Sequence, residues 1–481
     1  MKHSRSRTIL IRPFALGVCF VLVLLFITYF QFATEIDYQH NNDDPGPIFS
    51  LCNHSNQQPL TNPSGFITTI REFTWDNLLS AYKNKKNDTE EFSFWCSKLL
   101  TLIKPALIAP PKVKVNTSCE TPPTLQFPSN VPLCTRLKTP RKVAVLLQFG
   151  FDADILEIHF HELNDIVDKF FLLESTFTYY LGVPKPLIWE ALKGQPRFEK
   201  FLHKVVHFVL DEQDVLNAQL DAVKVEKGKV QGNSYNIENL QEKMRWIKFM
   251  QWNSVANYFD GNDLLGFGDS DEIPNRNVVY YLKHCVMPSN PVDIGIWFPF
   301  GRIDQAFQTD WPVRGHPYSY GDPTYWTLDA AVAYGAYFHN NPPPSRQRGR
   351  SPGYLIGGMH MTHYGYFPFQ LAKILTKIEG IGETVQNEIA SKIQFVMNKL
   401  KVGDKNYSMS EVEQIDAFKN IEAELTKLPA NFKKRIISLD SFKLKYPDEY
   451  TNLIKLPWFY DCNRERYPLW EGKHDGRLDK R

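Results

Sequence analysis

Long blocks of one charge are missing from this chain. Its 55 Lys and Arg stand against 53 Asp and Glu, which leaves +2 over 481 residues. Four of the cations, Lys2, Arg5, Arg7 and Arg12, precede every acid, so the body beyond residue 13 carries 51 basic and 53 acidic side chains. Binding to a phosphate backbone needs a basic face, so nucleic acid is excluded as the main partner. Cysteine is scarce. The seven residues form no C-x-x-C pair and have no His-rich partner nearby, a pattern that favours disulfides over zinc. There is no Walker loop and no G-x-S-x-G elbow, and His161-Glu162 lacks the second histidine of a zinc-protease helix. No internal repeat is present.

What the chain does have is apolar material, 43% hydrophobic and 14% aromatic, enough for a large core and too much for disorder. Phe14 to Phe30 (FALGVCFVLVLLFITYF) holds no charge, and extended to Ala33 it reaches about 20 residues, the length that spans a hydrocarbon core. Basic residues precede it and Glu35, Asp37, Asp43 and Asp44 follow, which keeps the N-terminus cytosolic and the remainder lumenal. A cleaved signal peptide is the alternative, with an apolar region of only about 7 to 15 residues. Outside the span lie an even six cysteines, Cys52, Cys96, Cys119, Cys134, Cys285 and Cys462, whose connectivity is open. Glycan acceptor tripeptides at Asn53, Asn87, Asn116 and Asn406 agree with a secretory compartment.

The expected organisation is a cytosolic tail over 1–13, a transmembrane signal anchor over 14–33, a lumenal stem with a disulfide-stapled module over 34–139, and the main domain over 140–481. The stem is dense in Pro, Asn, Thr and Ser, although Trp75, Phe94 and Trp95 ask for burial. Strands are expected at Val143 to Phe149, Phe170 to Leu173, Lys204 to Leu210 and Asp263 to Gly268. Between them lie helices at Leu156 to Val167 and Ile237 to Phe259, the second presenting Leu240, Met244, Ile247, Val255 and Tyr258. Residues 212–235 read as an irregular insertion, 294–326 as an antiparallel aromatic region, and 340–353 (NNPPPSRQRGRSPG) as a polar loop. Strands separated by helices imply an α/β sheet that binds ligands beyond the carboxyl ends of its strands.

Asp269-Ser270-Asp271 ends the fourth strand. In an extended segment residues i and i+2 face one way, so both carboxylates can approach one cation. Hard oxygens suit Mn²⁺ or Mg²⁺, which can also bridge the phosphates of a nucleotide diphosphate and neutralise a departing diphosphate. Gly266 and Gly268 leave room for a ligand near the backbone. A second Asp-x-Asp, Asp152-Ala153-Asp154, stands before the helix with Glu157 three positions beyond Asp154, so Asp154 reads as a helix cap.

These residues also carry a family resemblance. Asp154-Ile155-Leu156-Glu157-Ile158, Glu162-Leu163, Val167-Asp168, Phe171-Leu172-Leu173-Glu174-Ser175, Thr178, Pro184-Lys185-Pro186-Leu187 and Asp269-Ser270-Asp271-Glu272-Ile273-Pro274 resemble, in order and spacing, the β-1,4-mannosyl-glycoprotein 4-β-N-acetylglucosaminyltransferases. Those enzymes add the bisecting N-acetylglucosamine to N-glycans. The resemblance covers 143–290 and continues loosely through 358–362 and 439–453.

It implies an A-type glycosyltransferase fold with a Rossmann-like nucleotide-sugar-binding sheet, anchored in the Golgi membrane as a single-pass type II protein. It further implies UDP-N-acetylglucosamine as donor, Mn²⁺ or Mg²⁺ as cofactor, an N-glycan on a glycoprotein as acceptor, and inversion at the anomeric carbon. By matching, Asp269 and Asp271 meet metal and diphosphate, Glu174 and Ser175 lie near the nucleotide, and Lys185 contacts phosphate or sugar, its alternative being a solvated loop lysine. His360 is the candidate third metal ligand or phosphate contact, with His363 its competitor. The base that inversion needs is Glu379 or Glu383, with Asp322 as an outsider. Arg245 could reach a phosphate or form a surface ion pair. Three departures, His159 in place of Arg, Met359 in place of Trp and no His-x-Glu at 378–383, bear on the acceptor side. The non-enzymatic alternative is a catalytically silent, lectin-like Golgi protein; another donor or acceptor is the other. The oligomeric state is open.

Overall fold

The apolar run at 143–149 becomes a central strand because both of its faces are covered. The computed structural model describes residues 70, 73–84, 89–129, 131–178, 182–218, 223–226, 229–232, 234–297, 299–300, 302–307, 323–337, 344–347, 350–361, 366–376, 436–445 and 455–468. The chain divides into two compact units, Met1–Gln58 and Pro59–Arg481, and every described residue lies in the second. The expected membrane span therefore falls outside the described residues, among which no helix is long and apolar enough to cross a membrane.

In chain order the described strands are β1 (Val143–Phe149), β2 (Lys169–Ser175), β3 (Val205–Leu210), β4 (Lys224–Glu226), β5 (Lys229–Gln231), β6 (Leu264–Asp269), β7 (Glu272–Pro274), β8 (Val292–Trp297), β9 (Pro299–Phe300), β10 (Arg302–Phe307), β11 (Thr324–Thr327), β12 (Gly353–His360) and β13 (Ile436–Ser438). Eight form one mixed sheet in the order β3-β2-β1-β6-β11-β8-β12-β7. The half containing β3, β2, β1 and β6 is parallel, and β1 is registered with β2 from Ala144↔Lys169 to Phe149↔Glu174 and with β6 from Val143↔Leu264 to Gln148↔Asp269. Gln148, Ser175 and Asp269 thus finish together at one edge of the sheet. Antiparallel β11 then joins β6 to β8, while β12 runs parallel to β8 and antiparallel to β7.

Helix Ala153–Leu163 is buried along its whole length, polar residues included, because sheet and further chain enclose it. Helices Trp75–Asn84 and Thr89–Leu107 share one apolar core with β1, β2 and β8, so this part of the expected stem packs as domain. The cysteines correct the expected staple. Cys119 pairs with Cys462 and Cys134 with Cys285, tying the stretch before residue 139 to the main domain; Cys96 is a buried free thiol, and Cys52 lies outside the described residues.

Other expectations are corrected locally. The insertion at 212–235 contains helix Glu212–Ala218 and the hairpin of β4 and β5. The long helix runs from Ser234 to Ala256 and buries Ile237, Leu240, Met244 and Phe249 while Val255 is 84% exposed, so the apolar face ends before the helix does. Asp154 does not cap its helix. Asp152 occupies the N-cap position, and Asp154 sits in the first turn, where it binds Arg197 at 2.9 Å.

Candidate functional site

A cavity of about 110 Å³ opens beyond the carboxyl ends of β1, β2 and β6. Its walls carry the carboxylates Asp152, Asp269 and Asp271, the ammoniums Lys185 and Lys373, and the hydroxyls of Ser175 and Thr178. Phe149, Phe151 and Phe177 supply the apolar part.

The acidic motif is bent rather than extended. β6 stops at Asp269, and Ser270 and Asp271 make a turn before β7. Three backbone contacts hold that turn: Ser270 N–H donates to Gln148 O at 3.1 Å, Met361 N–H to Asp271 O at 2.7 Å, and Asp269 N–H to the Glu272 carboxylate at 2.9 Å. The buried ring of His159 adds a fourth, its Nδ1 lying 2.9 Å from Ser270 O. Burial holds the His159 pKa down to about 4, so the ring is neutral near pH 7 and Nδ1–H is the donor.

Each acid of the turn has a cationic partner. Arg346, buried, meets Asp269 at 2.7 Å, Glu272 at 2.8 Å, Glu242 at 2.8 Å and Glu238 at 3.3 Å. Lys373, on helix Phe367–Thr376, meets Asp152 at 2.5 Å and Asp271 at 2.9 Å. Burial works against the Lys373 charge, but the two aspartates outweigh it and raise its pKa. Glu272 is pushed up to about 7 by burial, against the pull of Arg346 and with a further push from Asp269.

The expected site residues separate on this geometry. Asp269, Asp271, Ser175 and Lys185 line the cavity. Lys185 is no solvated loop residue, since its side chain is 5% exposed and lies 3.7 Å from Glu174. Glu174 is fully buried behind the wall and accepts from the backbone N–H groups of Ile188 at 2.7 Å and Trp189 at 3.2 Å. Burial would raise its pKa, yet Lys185, His207 and the Ile188 N–H together hold it below the ordinary value. Its carboxylate therefore organises the cavity and is not offered to a ligand.

Arg245 is likewise a scaffold residue. It donates to Leu146 O at 3.2 Å and Gly268 O at 2.7 Å and pairs with Glu242, joining β1 to β6 and reaching neither solvent nor cavity. His360 stands 3.5 Å from Asp271, outside the cavity lining. Gly266 serves packing, because a Cβ there would meet the Tyr325 ring at 2.6 Å. Glu379, Glu383, His363 and Asp322 lie outside the described residues.

Sequence reading passed over Asp152, Lys373 and Arg346. The first looked like part of a helix start, and the other two sit in segments with no local signature. Only contacts over 77 residues to Asp269 and 102 to Asp271 bring Arg346 and Lys373 to the turn.

A divalent cation fits these residues. Oδ1 of Asp269 is buried with no hydrogen-bond partner, a hard oxygen on a carboxylate that lines the cavity next to Asp271. No group of three or more His, Cys, Asp or Glu among the described residues makes a metal cage. One or two carboxylates completed by substrate phosphates is the arrangement Mg²⁺ and similar ions accept.

Ionisable side chains gathered beyond parallel strand ends define a mixed α/β protein with a candidate ligand cavity at the carboxyl edge of its sheet. Residues 133–293, which include this turn, match the Glycosyltransferase family 17 profile. The chain is similar to the β-1,4-mannosyl-glycoprotein 4-β-N-acetylglucosaminyltransferases of Rattus norvegicus and Homo sapiens, at 30% identity over 169 residues in each case. The similarity covers 34% of this chain and 28% of those proteins, so the chain spans less than a third of the length of the curated relatives it matches. Glucosyl-3-phosphoglycerate synthase from Mycobacterium tuberculosis, solved with Mn²⁺, UDP and phosphoglyceric acid, aligns over 56% of this chain and 81% of its own, with 13% identity and a TM-score of 0.24. A score that low establishes no residue correspondence.

Proposed function

We propose that the protein is an inverting glycosyltransferase that moves N-acetylglucosamine from UDP-N-acetylglucosamine, in β-1,4 linkage, to a mannose of an N-glycan. The observation that carries the reading is the cavity itself: paired acids and two ammoniums at the carboxyl edge of the sheet, with Asp269, Asp271 and Lys185 inside the segment that matches a glycosyltransferase family and Lys373 reaching the cavity from beyond it. The proposal includes an A-type fold, a type II anchor at 14–33 and a Golgi lumenal site of action. The charge asymmetry around the apolar span supports that orientation.

Asp269 and Asp271 would hold Mn²⁺ or Mg²⁺. When bound, the ion supplies Lewis acidity that offsets charge developing on the leaving diphosphate. The chain's own residues do the rest. His159, Gln148 and Met361 fix the turn so that both carboxylates keep their places, and Arg346 orients Asp269 through its second oxygen. The three phenylalanines exclude water from one side of the cavity. A single displacement needs a base at the acceptor hydroxyl, and Glu379 or Glu383 is proposed for it.

The test incubates the purified full chain with UDP-N-acetylglucosamine, Mn²⁺ and a free N-glycan, and reads UDP release and product linkage by NMR. Expected is a β-linked product, with Asp269→Ala or Asp271→Ala reducing transfer at least about 10²-fold, about 2.7 kcal/mol. An α-linkage overturns the inverting mechanism. Glycan binding without transfer from any UDP-sugar favours the lectin-like alternative.

A further inference from the structure

We propose that Lys185 and Lys373 form a two-ammonium clamp for the phosphates of the ligand, with Asp152 as the residue that positions Lys373. The inference rests on the reading of the cavity as a nucleoside-diphosphate site. Lys185 is the first support. Its Nζ is buried, lines the cavity and has no hydrogen-bond partner, the nearest carboxylate being 3.7 Å away and the ring of Phe151 5.0 Å. A buried ammonium whose carboxylate neighbour, Glu174, stands beyond hydrogen-bond distance is costly, and a second anion in the cavity would offset that cost. Burial lowers its pKa against the pull of Glu174.

Lys373 is the second support. It reaches the same cavity from helix Phe367–Thr376, which packs on helix Thr89–Leu107, and Asp152 and Asp271 grip it at 2.5 Å and 2.9 Å. Asp271 alone would neutralise one ammonium. Asp152, at the N-cap of helix Ala153–Leu163, makes no capping hydrogen bond through its side chain, and its carboxylate meets Lys373. Between the strand ends lies Gly150, where a Cβ would meet nothing within 4 Å. Two ammoniums beside open space suit a ligand with two linked anionic centres.

Isothermal titration of the full chain with uridine and with UDP, each in EDTA and in Mn²⁺, tests the clamp. In Lys185→Met and Lys373→Met, UDP affinity is expected to fall about 10- to 100-fold, as for loss of a charged hydrogen bond, while uridine affinity holds within about twofold. Lys373→Arg should recover most of the loss. Asp152→Asn should weaken UDP less than Lys373→Met does, and should add nothing in the double variant, as befits a residue acting through the lysine. Equal weakening of uridine and UDP would assign both lysines to structure and overturn the clamp, as would unchanged UDP affinity. If the unaltered chain binds neither ligand, the nucleotide reading fails and the clamp with it. Should Lys373→Met not fold, the UDP-to-uridine ratio in Lys185→Met decides by the same criterion.

Discussion

Arg346 comes from a Pro- and Arg-rich stretch that reads as a solvated connection, yet its guanidinium is buried among Asp269, Glu272, Glu242 and Glu238. Removing one partner of a buried ionic cluster strands the others. Arg346→Ala is therefore expected to cost about 3–5 kcal/mol of stability in denaturant titration; a loss under about 1 kcal/mol would mean that the acids are organised without it. His161 makes a pH prediction at the same scale. It stacks on Phe459 with ring centroids 3.4 Å apart, and burial, then Lys200 and Arg466, hold its pKa down to about 2. The unfolded chain takes up a proton near pH 6.5 that the folded ring refuses, so stability falls as pH drops below about 6.5, by up to about 1.4 kcal/mol per unit. His161→Phe keeps an aromatic ring against Phe459 and should flatten the slope between pH 6.5 and 5. An unchanged slope would show that His161 is not the titrating group.

Glycines in and beside the strands show what the elements demand. At Gly266 a methyl group would enter the ring of Tyr325, itself buried between β6 and β8, so Gly266→Ala is expected to cost about 1–3 kcal/mol by overpacking. Gly150→Ala, which meets nothing, should leave the unfolding midpoint in place; equal shifts in both variants would refute the packing argument. The parallel half of the sheet was legible because β1, β2, β3 and β6 are mainly apolar runs, each closed by a polar residue or turn, and all but the edge strand β3 are buried. The other half was legible only as a region. β11 has four residues and β7 three, too few for a period to show, and both exist through pairing with distant partners. The site divides in the same way. Asp269 and Ser175 end readable strands, Asp271 lies in the turn beyond, and Lys185, in a loop, was reached only through the family resemblance, whereas Lys373 owes its role to a neighbour 102 residues away.

Across the whole molecule, two disulfides join segments 343 and 151 residues apart. Both cross from the stretch before residue 139 to the main domain, and Asn116 N–H donating to Asn463 at 2.9 Å reinforces the first. Replacing Cys119 and Cys462 by Ala is expected to lower stability by roughly 2–5 kcal/mol, measured by urea unfolding with Cys134–Cys285 intact. An unaltered midpoint would mean that noncovalent packing alone seats the segment. That segment, residues 455–468, brings Phe459, Tyr460 and Tyr467 into the shared core, and Arg466 reaches Glu157 at 2.7 Å on helix Ala153–Leu163. During synthesis it emerges from the ribosome more than 300 residues after Cys119, its covalent partner. Until then the nascent domain displays the helix surface that these aromatics will cover, with Glu157 lacking one of its arginines. A message truncated before Trp458 would thus yield a chain whose sheet and cavity residues are all encoded but whose flank stays open. Such a chain is expected to expose apolar surface, to engage chaperones and to aggregate.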